Sequence, residues 1–192
     1  MADVAGEVVG EGAAAGEANA APASRPSREA EASPGSLARQ ILQLMNQRGQ
    51  TLAVAESLTG GLICAALSAV PGASAVLRGG IVAYATDLKA RLVGVPQPLL
   101  DSHGPVHPSV AAAMAEGVRV RLGATFAVAT TGVAGPEPQG GQPVGTVHFA
   151  VSADGDTVVR TVALSGDRAE IRDRTVVASL GLLLGRLRED TG

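Results

Sequence analysis

From Ser36 to Arg188 the chain alternates short apolar runs with helical repeats, and this alternation limits the folds open to it more than any other feature. Leu37, Ile41, Leu42 and Met45 fall at helical spacing, and Gly49 closes that first helix after Arg48. Thr51 to Ala55 reads as a strand that ends in the turn Glu56-Ser57-Leu58-Thr59-Gly60-Gly61, and Leu62 to Val70 continues as a helix. A second strand, Gly80 to Tyr84, leads into a short helix through Lys89 to Leu92. Pro108, suited to a first helical position, opens an alanine-rich helix that runs to Leu122. Phe126 to Ala129 is a third strand, running into Thr130-Thr131-Gly132-Val133-Ala134-Gly135-Pro136. After a loop rich in glycine and proline from Glu137 to Pro143, two strands, Gly145 to Ala153 and Thr157 to Leu164, flank a hairpin signal at Asp154-Gly155-Asp156. A last helix spans Asp167 to Arg188. Strands separated by helices, plus one hairpin, predict a three-layer α/β/α sandwich with a mixed sheet.

Residues 1–35 hold Ala, Gly, Glu, Pro and Ser with almost no large apolar side chain, so they cannot offset the entropy of ordering and are expected to be a disordered tail before a domain over 36–192. That tail carries six acidic and two basic residues, which leaves the body at a net charge of only +1. A near-neutral body with one Tyr, two Phe and no Trp offers neither the basic face nor the stacking platforms of a nucleic-acid binder. No stretch is apolar for long enough to span a bilayer, and the N-terminus lacks the pattern of a secretory signal, so a cytoplasmic protein is expected. Cys64 stands alone, which removes any internal disulfide. His103, His107 and His148 lack the spacing of a zinc helix, and no metal or other cofactor is expected.

Candidate chemistry begins at Ser57, where a strand hands over to a helix and several backbone amides lack an intrahelical partner. If Ser57 attacks a carbonyl, the amides around Thr59, Gly60 and Gly61 are candidate donors to the oxyanion. A Ser in such a turn, viewed alone, reads more readily as a plain helix cap. Fourteen of the fifteen basic residues are arginine and Lys89 is the one lysine, so position 89 asks for something guanidinium cannot do. A desolvated ammonium can lose its proton and act as a base, whereas guanidinium stays charged; the other reading is a lysine on a solvated helix. Tyr84, the one tyrosine, lies five residues before Lys89, close enough to share a pocket, although a strand tyrosine is as readily a core residue.

These segments resemble the CinA C-terminal domain family, which includes amidohydrolases that deamidate nicotinamide mononucleotide. The likeness covers about Ser36 to Leu187 and rests on Ala55 to Gly61, Val70-Pro71-Gly72-Ala73-Ser74, Tyr84 through Lys89, Gly94-Val95, His103-Gly104, Gly132 to Pro136, Pro143-Val144-Gly145 and Gly166-Asp167-Arg168 with Ile171-Arg172. The resemblance implies Ser57 as nucleophile, with Tyr84 and Lys89 completing a triad. It also implies a small pyridine-nucleotide substrate, a place in nucleotide salvage, and association into homo-oligomers. Longer relatives carry a further pyrophosphatase-like domain, and this chain is expected to be the stand-alone form.

Arg168 and Arg172, four apart on one helix face, are the candidate phosphate clamps, or else a surface pair bonded to Asp167, Asp173 or a neighbouring subunit. Gly132, Ala134 and Gly135 are further candidates for contact with substrate. The sequence departs from the family pattern at Leu58, where a cysteine is usual, at His107, where a serine cap is usual, and at Gln142, where many members carry lysine. Two other functions stay open: a non-catalytic nucleotide-binding or competence-associated module, and an amidase acting on a different small amide.

Overall fold

A computed structural model describes residues 33–189. Five strands form one sheet in the order β2-β1-β3-β4-β5, with β1 at Leu52–Glu56, β2 at Leu77–Val82, β3 at Phe126–Gly132, β4 at Thr146–Ala153 and β5 at Asp156–Ala163. The neighbours β2, β1 and β3 are parallel, whereas β4 and β5 add antiparallel through a hairpin, so the sheet is mixed as the sequence predicts. Helices cover both faces: α1 (Pro34–Gln47), α2 (Leu62–Ser68) and α6 (Arg168–Glu189) on one, and α3 (Thr86–Val93), α4 (Gln97–His103) and α5 (Pro108–Leu122) on the other.

The two faces differ in the size of their side chains. Leu52, Val54, Phe126, Val128 and Val151 pack against α1, α2 and α6. Between them, Ala53, Ala55, Ala127, Ala129 and Ala150 point to the opposite face and meet α5. Successive strand residues point to opposite faces, so an alternation of large and alanine residues builds one deep apolar layer and one shallow layer. The shallow layer lets α5 lie close over β1, β3, β4 and β5 with Ala111, Met114 and Ala115 buried beneath it. This is how a core forms with an aromatic content of only 2%. Gly117 marks the tightest approach, because a Cβ there would strike the carbonyl oxygen of Val93 at the end of α3.

The first helix begins earlier than the sequence suggests. Ser33 caps it, its hydroxyl accepting from the amide of Ser36 at 3.3 Å, and Pro34 occupies the first turn. Residues 33–35 therefore belong to the domain, and the rest of the expected tail, 1–32, lies outside the described residues. The second strand is Leu77–Val82, so Tyr84 falls in the loop beyond it. Helix α4 was not expected, since Pro98 so near its start hides a seven-residue element whose periodicity is too short to register. Among the described residues, no helix is long and apolar enough to cross a membrane.

The connections fix where a ligand can reach the chain. From β1 the chain crosses to β2 on one side, and from β2 it returns past β1 to β3 on the other. Strand order thus reverses at β1, and the carboxyl ends of β1 and β3 open a crevice of the kind that α/β sheets use for ligands.

Candidate active site

Ser57 follows the last residue of β1 and Gly132 is the last residue of β3, so both stand at that crevice. The cleft there is lined by Ser57, Leu58, Lys89, Tyr84, Arg168 and the stretch Thr131 to Gly135.

Lys89 is almost fully buried. It sits on α3 with 1% of its surface exposed, and its Nζ donates to Ser57 Oγ at 2.8 Å and to the Ala83 carbonyl at 2.8 Å. Among the described residues no carboxylate forms an ion pair with it. Burial without a counter-charge penalises the ammonium form and lowers its pKa to about 8 from the ordinary 10.5. A lysine so placed is readily neutral at mildly alkaline pH. Its lone pair then faces the Ser57 hydroxyl, while one N–H stays bound to the Ala83 carbonyl. That is the arrangement of a nucleophile with its base.

The turn that carries Ser57 is built from three kinds of contact. Glu56, fully buried, accepts from the amides of Gly61 at 2.9 Å, Ile63 at 3.1 Å and Cys64 at 2.9 Å, and so caps α2 from outside the helix. Gly60 and Gly61 have φ of 58° and 101°, which lets the chain fold back far enough for that carboxylate to reach the amides. Nearby, Thr59 pairs its hydroxyl with Thr130 at 2.9 Å across β1 and β3. The same carboxylate, with burial as the larger cause, pushes the Cys64 thiol up to about 12.

The amides of Gly60 and Gly61 are therefore not free to hold an oxyanion, contrary to expectation. Gly60 N donates to the Ser57 carbonyl at 3.0 Å and Gly61 N to Glu56. Neither glycine lines the cleft, nor does the Thr59 side chain. Arg172 is also redirected: its Nε donates to the Leu58 carbonyl at 3.0 Å and its Nη2 to the Thr59 carbonyl at 2.9 Å, so it grips the turn and does not line the cleft.

Arg168 does reach the cleft. Its Nη1 donates to the Gly135 carbonyl at 2.6 Å and its Nη2 to the Tyr84 hydroxyl at 2.6 Å. Neither Asp167 nor Asp173 pairs with either arginine; Asp167 instead accepts from the amides of Ala169 at 2.8 Å and Glu170 at 2.9 Å at the start of α6. Tyr84 is 55% exposed at the mouth, and its hydroxyl bonds Arg168, with no hydrogen bond to Ser57 or Lys89. The reason is its position two residues past β2, outside the sheet that seats Ser57.

Gly132, Ala134 and Gly135 form the opposite wall. A Cβ on Gly132 would stand 2.6 Å from the Thr146 carbonyl oxygen, so only glycine lets β3 run this close to β4 at the cleft. Thr86, Thr131 and Glu137 also line the cleft and were not foreseen. Thr86 was legible in principle, being three residues before Lys89 on the same helix.

The histidines stay out of the cleft. His103 bonds Ser102 Oγ at 2.6 Å through Nδ1, and its ring lies 4.3 Å from that of His107. His148 is buried with its Nδ1 2.8 Å from Thr161 Oγ1. His107 caps α5 itself, its Nδ1 accepting from the Ser109 amide at 3.2 Å, so the departure from serine costs no cap. Burial and the neighbouring His103 lower the His107 pKa, in the direction that favours the neutral ring. Gln142 pairs through its backbone with Gln139 and does not line the cleft.

The sequence profile of the CinA C-terminal domain matches residues 35–187. The chain belongs to the CinA C-terminal domain family. It is 56% identical over 143 residues to a CinA-like protein of Frankia casuarinae, covering 74% of this chain and 33% of that one. A CinA-like protein of Parasynechococcus marenigrum is 48% identical over 158 residues, covering 79% of this chain and 37% of its own length. The chain thus spans about a third of the length of these curated relatives. Among solved structures, the competence/damage inducible protein CihA of Agrobacterium tumefaciens superposes with a TM-score of 0.77 at 39% identity, covering 81% of this chain and 95% of that chain. A CinA superfamily protein of Klebsiella pneumoniae gives 0.79 at 29% identity, with 82% and 99% covered. Both share the α/β fold described above.

Proposed function

We propose that this CinA-family chain is an amidohydrolase that converts nicotinamide mononucleotide and water into nicotinate mononucleotide and ammonia. The observation that carries the reading is the buried Lys89, without a carboxylate partner among the described residues and with its Nζ 2.8 Å from Ser57 Oγ. Neutral Lys89 accepts the hydroxyl proton as Ser57 Oγ bonds the carboxamide carbon, and the resulting ammonium passes that proton to the amide nitrogen as the C–N bond breaks. Ammonia leaves, and an ester of Ser57 remains. Lys89 next takes a proton from water as it attacks the ester, then returns it to Ser57 Oγ as the acid departs.

Arg168 supports a phosphorylated substrate. Two of its five N–H donors are engaged at the cleft mouth, which leaves others for a phosphate in the plane of the fork. No step in this sequence calls for a metal. The test is ammonia release from nicotinamide mononucleotide, and from related small amides, by protein treated with chelator. Release confined to another amide would reassign the substrate while keeping the chemistry. Tight binding of the nucleotide with no release would mark a non-catalytic module and overturn the reading.

A further inference from the structure

Three successive carbonyls in the Ser57 turn are tied down. The Ser57 carbonyl accepts from Gly60 N at 3.0 Å, the Leu58 carbonyl from Arg172 Nε at 3.0 Å, and the Thr59 carbonyl from Arg172 Nη2 at 2.9 Å and from Leu62 N at 3.3 Å. In a trans peptide the N–H points opposite to the preceding C=O, so holding these carbonyls also aims the amides of Leu58, Thr59 and Gly60. Gly60 N is used within the turn. The amides of Leu58 and Thr59 make no hydrogen bond among the described residues, although both residues are buried, with 4% and 0% of their surface exposed. Buried amides are almost always paired, so the unpaired amide of Leu58, a residue that lines the cleft beside the candidate nucleophile, is a donor open to an anion there, whereas Thr59 does not line the cleft.

Arg172 has no carboxylate partner among the described residues, and its side chain is only partly exposed. Its fork is directed at two carbonyls of one turn, a geometry that a single ammonium could not reproduce. Gly60 leaves room for it, since a Cβ there would stand 3.3 Å from Arg172 Nη2.

We infer that Arg172 is a positioning residue: by holding the Thr59 carbonyl it fixes Gly60 N on the Ser57 carbonyl, and so sets the Leu58 amide as an oxyanion donor for Ser57. This rests on Ser57 being the nucleophile, and it replaces the role of phosphate clamp for Arg172. Its consequence is specific: loss of Arg172 impairs the transition state and spares the binding of the substrate's phosphate.

The experiment uses a fluorophosphonate, which needs no knowledge of the natural substrate. Ser57 Oγ bonds phosphorus as fluoride leaves, the hydroxyl proton going to Lys89, and the phosphoryl oxygen takes the place of the oxyanion. Labelling rates are followed by intact mass for the wild type, Arg172→Gln, Arg172→Lys and Ser57→Ala, each checked for cooperative thermal unfolding. Both Arg172 variants are expected to label at least about tenfold more slowly than wild type. The pH midpoint of labelling should stay where it is, and KM for nicotinamide mononucleotide should change far less than kcat. Labelling of either folded variant at the wild-type rate overturns the inference, as does an unchanged kcat with a raised KM. Wild-type protein that labels at Ser57 but releases no ammonia from the nucleotide refutes the proposed substrate alone. Equal labelling of wild type and Ser57→Ala refutes the nucleophile, and the inference falls with it.

Discussion

Lys89 Nζ, on helix α3, stands 2.8 Å from Ser57 Oγ in the turn after β1, buried and with no carboxylate among the described residues to balance its charge. An amine in that position is costly to the fold as a cation and useful to the serine once neutral.

The cost to the fold has a definite sign. Folding lowers the Lys89 pKa to about 8 from 10.5, so between those values the unfolded chain binds more proton and rising pH favours the folded state. The penalty is fully present below pH 8 and is relieved as pH climbs toward 10.5. Lys89→Met, which keeps the volume and removes the charge, is expected to match or exceed the wild type in melting temperature at pH 7. The difference should shrink as pH is raised through that window, which thermal unfolding at a series of pH values measures.

Glu56 presents a second cost if altered. Its two carboxylate oxygens serve the amides of Gly61, Ile63 and Cys64 in a fully buried place. Glu56→Gln offers one acceptor oxygen and turns an NH2 toward an amide, so it should lose about 1–3 kcal/mol of stability in urea unfolding. A loss confined to a few tenths would mean that water replaces the carboxylate.

Tyr84 and Arg168 meet at 2.6 Å, and Arg168 also holds the Gly135 carbonyl at 2.6 Å, so the three form one rim. Tyr84→Phe and Arg168→Gln are expected to be strongly coupled: the double variant should lose less in kcat/KM than the product of the single losses. Independent effects in that cycle would place the Tyr84 hydroxyl in a role separate from Arg168.

Much of the architecture was open to reading because local periodicity is strong where an element has one buried face. The hairpin at Asp154-Gly155-Asp156 and the alanine-rich helix after Pro108 are such cases, and both stand where expected. Helix α4 was hidden because seven residues with a proline near the start carry no period. The site divides along similar lines. Composition singles out Lys89, since a chain otherwise committed to arginine keeps one lysine, and the structure seats it against Ser57. The spacing of Arg168 and Arg172 shows that they share a helix face, yet four residues along a helix is one turn, and one turn separates the cleft mouth from the back of the Ser57 loop. Sequence also cannot show that Glu56 reaches forward to claim the amides of Gly61, Ile63 and Cys64, because only the left-handed glycines make that reach possible.

The most direct test of Lys89 as the base for Ser57 is the pH dependence of kcat for ammonia release, compared between the wild type and Lys89→Arg. The wild-type rate should rise with pH through a midpoint near 8 and level off above it, as the neutral amine accumulates. Lys89→Arg, charged throughout, should fold and bind yet release ammonia at least about a hundredfold more slowly at every pH. A Lys89→Arg protein with the wild-type rate and profile would contradict the assignment of Lys89 as the base.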